Sequence, residues 1–238
     1  MKILVVNDDS IHAPGIAMLA RQAAAFGEVW VVAPAQQCSA MSQKLTLRET
    51  MTLKRVEDFP VNVKAAYALD GTPVDCVKVA LAYLMDGKPD IVLSGINNGY
   101  NAGFDIAYSA TLGAAFEAVR NGIPAIALSA AGNDSLGLAE PWLHDILSEL
   151  LIKKPEPYEV WNVNFPSGKN GGIQGILQDR KAAPVSMYIE SYDAEMQSDG
   201  TVELTTRGRP VPNERIPALT DAEAVRKGYI SIGRVRAY

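Results

Sequence analysis

Two adjacent carboxylates, Asp8 and Asp9, close the stretch Lys2-Ile-Leu-Val-Val-Asn-Asp-Asp-Ser10. Side by side, and unpaired by any neighbouring Lys or Arg, they repel one another and call for a cation, a hard divalent metal being the simplest. The plainer alternative is that Asn-Asp-Asp-Ser caps a helix or makes a turn. Two more polar loops, Gln36–Ser42 and Ser94–Gly103, bring Ser39 and Asn97. The donors Asp8, Asp9, Ser39 and Asn97 are all oxygens, with no His or Cys thiolate among them. That chemistry points away from zinc and towards Mg²⁺, Mn²⁺ or Ca²⁺. Two negative charges offset one divalent cation, and hydroxyl and amide oxygens fill further positions without adding charge.

The loop Ser94-Gly-Ile-Asn-Asn-Gly-Tyr-Asn-Ala-Gly103 carries glycines at 95, 99 and 103. Glycine admits positive φ and lets backbone approach a ligand closely, so Gly95 is a candidate substrate contact. No Gly-Lys-Ser/Thr follows, which excludes a P-loop, and the spacing is not the dinucleotide fingerprint. A helix begins just beyond, at Ser109-Ala-Thr111. Its free N–H groups and two hydroxyls make an anion site, with a simple N-cap as the alternative for Ser109. His12 is a candidate proton donor, and Tyr100 and Tyr108 flank the loop where a base could stack. With only His12 and His144, no Ser-His-Asp triad can be assembled.

The elements that must position these groups alternate. Ile3–Val6, Val29–Ala33, Ile91–Leu93, Ala125–Leu128 and Val160–Phe165 read as buried strands. Helices are expected from Pro14 to Gly27, from Thr72-Pro-Val-Asp75 with a capping box, from Ser109 to Asn121, and from Trp142 to Ile152. Leu45–Leu53 and Val63–Leu69 read as more exposed strands. Beyond Pro166, strands at Ile173–Gln178, Val185–Glu190 and Val202–Thr206 follow without crossover helices, then a short helix capped at Thr220 and a last strand Tyr229–Val235. The expected fold class is α/β, a Rossmann-like doubly wound and mostly parallel sheet with C-terminal β-hairpin additions. Residues 1–166 would be the catalytic core and 167–238 an oligomerisation extension of the same unit. In such a sheet, loops at carboxyl ends of strands converge on one rim.

At 238 residues, with 48% hydrophobic and 21% charged residues, the chain suits one large globular domain. Its net charge of −5 and lack of a Lys/Arg cluster argue against a nucleic-acid groove or an anionic membrane surface as partner. Two cysteines, Cys38 and Cys76, make neither a disulfide framework nor a zinc pattern. They read as packing residues of a cytoplasmic protein with no signal peptide and no bilayer-spanning run.

Asn7-Asp8-Asp9, Cys38-Ser39-Ala40, Gly71-Thr72-Pro73-x-Asp75-Cys76, Ser94-Gly-Ile-Asn97-x-Gly99-x-Asn101 and Tyr108-Ser109-x-Thr111 resemble, in order, the motifs of the SurE (survival protein E) nucleotidases. Asn162-Val-Asn164-Phe-Pro166 and Ala224-Val-x-x-Gly-Tyr-Ile-Ser231 resemble its later segments. The resemblance implies a metal-dependent phosphomonoesterase for nucleoside 5′- and 3′-monophosphates and, in part of the family, for polyphosphate. It implies homodimers or homotetramers built through the C-terminal hairpin region. By motif position one divalent ion per subunit, Mn²⁺ or Mg²⁺ with Ca²⁺ as a third candidate, would be held by Asp8, Asp9, Ser39 and Asn97. Asn101, Ser109 and Thr111 would lie beside the phosphate, apart from the metal ligands. Ser10 departs from the family's Gly after the Asp pair, and Ser42-Gln-Lys44 from its Gly-His-Ser.

The expected chemistry is in-line attack of water on phosphorus, with Asp8 and Asp9 as catalytic carboxylates; whether one of them is base or nucleophile stays open at this point. A nucleotide-binding regulatory module without turnover is the rival. An aspartyl-phosphate phosphatase wants Asp-x-Asp, whereas here Asp8-Asp9-Ser10 stands.

Overall fold

Ile3, Leu4, Val5 and Val6 are all fully buried, as an apolar run covered on both faces of a sheet must be. They form most of β1 (Lys2–Val6), an interior strand of a nine-stranded sheet in a computed structural model that describes residues 1–153 and 155–237. In chain order there follow α1 (Pro14–Ala23), β2 (Glu28–Pro34), β3 (Leu53–Arg55), β4 (Ala65–Leu69), α2 (Pro73–Val79), β5 (Ile91–Asn98), α3 (Ala110–Arg120) and β6 (Ala125–Ala130). Then come α4 (Leu136–Ile152), β7 (Glu159–Phe165), β8 (Ile176–Arg180), β9 (Tyr188–Met196), β10 (Val202–Pro210), α5 (Asp221–Arg226) and β11 (Ile230–Arg236).

The strand order is β3-β4-β2-β1-β5-β6-β7-β11-β8, parallel from β4 through β7. Alternation along β1 splits the core. Ile3 and Val5 pack with Ile16 and Leu19 of α1 and Leu143 and Leu147 of α4, whereas Leu4 and Val6 pack with Val77 of α2 and Leu112 and Ala115 of α3. This is the doubly wound α/β architecture expected, with the antiparallel hairpin β9–β10 added as a separate two-stranded sheet. The chain runs from β1 outward through β2 and β4, then returns to β5 on the other side of β1. Strand order therefore reverses between β1 and β5, and the crevice above their carboxyl ends is where such sheets bind ligands.

Local rules explain several boundaries. At α2, Asp75 N–H donates to Thr72 Oγ1 at 3.2 Å and Thr72 N–H returns to Asp75 Oδ2 at 2.9 Å, the capping box legible in the sequence. The expected strand Leu45–Leu53 is instead irregular up to Leu53: Thr46 N–H goes to the Asp75 carboxylate at 3.1 Å and Arg48 has φ 63°, neither compatible with a ladder. Only Leu53–Arg55 pairs, antiparallel to β4. Helix α4 begins at Leu136 rather than Trp142, absorbing Pro141 near its beginning at the loss of one ladder bond.

The last third divides. Strands β11 and β8 extend the main sheet, β11 antiparallel to β7 and β8 parallel to β11. The hairpin strands are longer than expected and pair only with each other. Their even-numbered face carries Tyr188, Tyr192, Met196, Val202 and Leu204, all exposed. Among the described residues, no helix is long and apolar enough to cross a membrane.

Candidate metal and phosphate site

Asp8 and Asp9 follow β1 after Asn7, at the strand-order reversal. Asp8 is buried; its Oδ1 accepts the Thr111 hydroxyl at 2.8 Å. Burial pushes its carboxyl up to about 7, with the Thr111 hydroxyl pulling the other way and the charge of Asp9 adding to the rise. Asp9 accepts the Asn98 N–H on Oδ2 at 2.8 Å and a long 3.4 Å contact from the Gln37 amide on Oδ1, and burial raises its carboxyl as well. The loop after β2 is laid against the pair by the Cys38 N–H, which donates to the Asp8 carbonyl at 2.7 Å. Gln37 Nε2 also donates to Ser39 Oγ at 3.0 Å, placing that hydroxyl beside Asp9.

Asn97 reaches the same rim through a bulge. Ser94 pairs with Ala127 but Asn97 with Ser129, so β5 carries one extra residue there. The requirement for glycine at 95 comes from this sheet: at φ 140°, a Cβ would stand 2.2 Å from the Leu128 carbonyl oxygen of β6. The Asn97 amide donates to the Gly99 carbonyl at 2.8 Å, leaving its Oδ1 to a ligand. The Gln37, Cys38 and Asn98 contacts thus bring the loop after β2 and the bulged end of β5 against the Asp8–Asp9 pair.

Helix α3 starts against this cluster. Ser109 is its N-cap, accepting the Leu112 N–H at 3.0 Å, and keeps its own hydroxyl proton to donate. Thr111 is fully buried with its hydroxyl committed to Asp8. Thr111, expected beside the phosphate and apart from the metal ligands, is thus bonded directly to one of the expected metal ligands. Asn101 is buried, its side chain donating to Ser129 Oγ at 2.7 Å. Tyr100 accepts the Ser167 N–H at 3.0 Å, which fixes its ring, whereas Tyr108 is 61% exposed at the rim. His12 is exposed; His144 is exposed on α4 and stacks on Phe26. Cys38 and Cys76 are buried, as packing residues are.

Several contributors carried no role in the sequence reading: Gln37 between Asp9 and Ser39, the Asn98 backbone, Ser129, and Asn162 and Asn164 of β7. The last two were legible there only as part of the family-like segment Asn162-Val-Asn164-Phe-Pro166.

The sequence profile of the family described as "Survival protein SurE" matches residues 3–186. The chain belongs to the SurE family. A "5'-nucleotidase SurE 2" of Chlamydia caviae is 45% identical over 247 residues, covering 100% of this chain and 85% of the relative. A "5'-nucleotidase SurE" of Pelotomaculum thermopropionicum is 36% identical, covering 98% of this chain and 88% of its own length. In structure, the SurE protein from Aquifex aeolicus superposes with a TM-score of 0.84 at 31% identity, covering 100% of this chain and 94% of that one. The SurE profile ends at residue 186, just before the exposed hairpin.

The residues of this SurE chain fit a hard divalent cation. Among the described residues no Lys or Arg is ion-paired with Asp8 or Asp9, so two adjoining carboxylates have no charge to offset them. Nor does any group of three or more His, Cys, Asp or Glu side chains form a metal cage among them. A cation here would draw on Ser39 and Asn97 oxygens as well, the all-oxygen set that magnesium and manganese accept.

Proposed function

We propose that this chain is a metal-dependent phosphomonoesterase that hydrolyses nucleoside 5′- and 3′-monophosphates, with polyphosphate as a further candidate substrate. The observation that carries the reading is the uncompensated Asp8–Asp9 pair at the strand-order reversal, with the N-terminus of α3 bonded to it. It is supported by the two SurE relatives, which are named 5'-nucleotidases.

One ion, Mn²⁺ or Mg²⁺, would be held by Asp8, Asp9, Ser39 and Asn97. When bound, such an ion supplies Lewis acidity to a phosphoryl oxygen and to the attacking water. The chain's own groups do the rest. The Ser109 hydroxyl, the first N–H groups of α3 and the second N–H of the Asn101 side-chain amide, whose other is given to Ser129, would be the donors for phosphoryl oxygens, where negative charge builds. A carboxylate of the pair would take the proton of that water or act as the nucleophile. Tyr108, exposed just before the N-cap Ser109, would be an aromatic on which a base could stack.

For assembly, the exposed apolar face of β9–β10 supports a homodimer or homotetramer. Phosphate release from AMP or GMP, with Mn²⁺ or Mg²⁺ added and then removed by EDTA, tests the activity. Turnover is expected only with the ion present; full turnover by metal-free protein would overturn the proposal.

A further inference from the structure

Strand β7 places Asn162 and Asn164 on the face turned to α3, where its own Val160 and the neighbouring Ala125 and Ala127 of β6 are apolar. Both asparagines are buried, which is costly unless their polar atoms are bonded. Their bonds converge on one residue. Asn164 Oδ1 accepts the Asn101 N–H at 2.9 Å, and Nδ2 of Asn162 and of Asn164 both donate to the Asn101 carbonyl, at 2.9 and 3.1 Å. Both backbone polar groups of a loop residue are thus fixed by side chains of a strand remote in sequence. The Asn101 side chain is carried onto Ser129, which stands directly opposite Asn164 in the β6–β7 register.

Asn101 lies between β5 and α3, outside any strand or helix. Two residues on, the Gly103 N–H is tied to Asp221 Oδ2 at 3.1 Å, so the loop is fastened at its far end as well. Asn162 Oδ1 itself is buried without a partner among the described residues. A residue kept only for packing would be apolar here and avoid that cost; the amide repays it through the donor it aims at Asn101.

We infer that Asn162 and Asn164 are positioning residues for phosphate: they hold the Asn101 loop at a set distance from the start of α3, so that the Asn101 amide meets the phosphoryl group. This rests on the nucleotidase reading above. Among the described residues the hydrogen bonds of both asparagine side chains go to Asn101 and not to a proposed cation ligand, so their loss acts on phosphate before the metal.

The test is Asn164→Leu, alike in heavy-atom count and branching and unable to hydrogen-bond, measured beside Asn101→Ala and the double variant. Expected for Asn164→Leu are an unchanged Mn²⁺ Kd, phosphate Kd weakened about 10-fold or more, and a matching fall in kcat/KM. The Asn101 amide should lose protection from hydrogen exchange. The double variant should be no worse than Asn101→Ala alone, because both act through one group. Unchanged phosphate Kd and kcat/KM in folded Asn164→Leu, or losses that multiply in the double variant, would overturn the inference. If Asn164→Leu does not fold, Asn162→Ala removes one of the two donors to the same carbonyl and should show the same pattern at smaller size; no change would again overturn it. Wild-type protein that binds inorganic phosphate without hydrolysing nucleotides would defeat the nucleotidase reading alone. In that case a weaker phosphate Kd in Asn164→Leu still supports the positioning role. Absence of phosphate binding to wild type would defeat both.

Discussion

The Thr111 hydroxyl donates to Oδ1 of Asp8 at 2.8 Å, joining the start of α3 to the end of β1 across 103 residues of sequence. Thr111 is therefore tied to the proposed cation ligand Asp8, besides lying in the first turn of α3. Thr111→Val keeps the shape and removes this bond. Because a hydrogen bond to a charged group contributes about 1.5–3 kcal/mol, Mn²⁺ affinity should fall about 10-fold or more, and phosphate affinity with it. Calorimetric titration of Mn²⁺ checks this; an unchanged metal Kd would show that the bond does not support the ligand.

Asp8 also sets a pH dependence. Its carboxyl stands at about 7 in the folded metal-free chain against an ordinary 3.8. Between those values the folded state holds a proton that the unfolded state has released. The stability of metal-free protein should therefore fall as pH rises from about 4 to about 7, then level off. Asp8→Asn has no such proton, so the gap in thermal midpoint between variant and wild type should widen across that window. Mn²⁺ must displace the proton, so its affinity for wild type should rise with pH up to about 7. A midpoint difference that stays constant with pH would contradict the assignment.

Ser10 sits next to the carboxylate pair at φ 89°, a conformation that suits glycine, and its carbonyl accepts the Asn7 side-chain amide at 2.8 Å. Ser10→Gly keeps that carbonyl and relieves the side chain. It should stabilise the protein by about 1 kcal/mol, raising the thermal midpoint by about 2–4 °C. Differential scanning calorimetry measures it, and a lowered midpoint would mean the serine side chain contributes more than its strain costs.

On the hairpin, Leu204 is 62% exposed and Tyr192 58% exposed on one face. A charge placed there should break assembly without disturbing the main sheet, with which the β9–β10 ladder shares no strand pairing. Sedimentation velocity of Leu204→Glu should show monomer where wild type shows dimer or larger. Equal sedimentation of the two proteins would exclude this face as the contact.

What the sequence alone determined is local. The apolar run Ile3–Val6 and the capping box at Thr72 and Asp75 point to the doubly wound sheet, because strand burial and helix caps are written within a few residues, and the order of the motifs gives the family. Tertiary structure decided the rest. Leu45–Leu53 has strand composition, yet the Asp75 carboxylate takes the Thr46 N–H and the ladder cannot form. Residues 167–238 read as hairpins, but whether a strand extends the main sheet or stands free depends on which edge is open, and only the finished β7 edge receives β11. Thr111 and Asp8 give no sign of each other along the chain, nor do Asn164 and Asn101, because a hydrogen bond between distant residues leaves no periodicity in either segment. Those pairs exist only once parallel strands have carried their loops to one rim, and there they determine which oxygens remain free for a ligand.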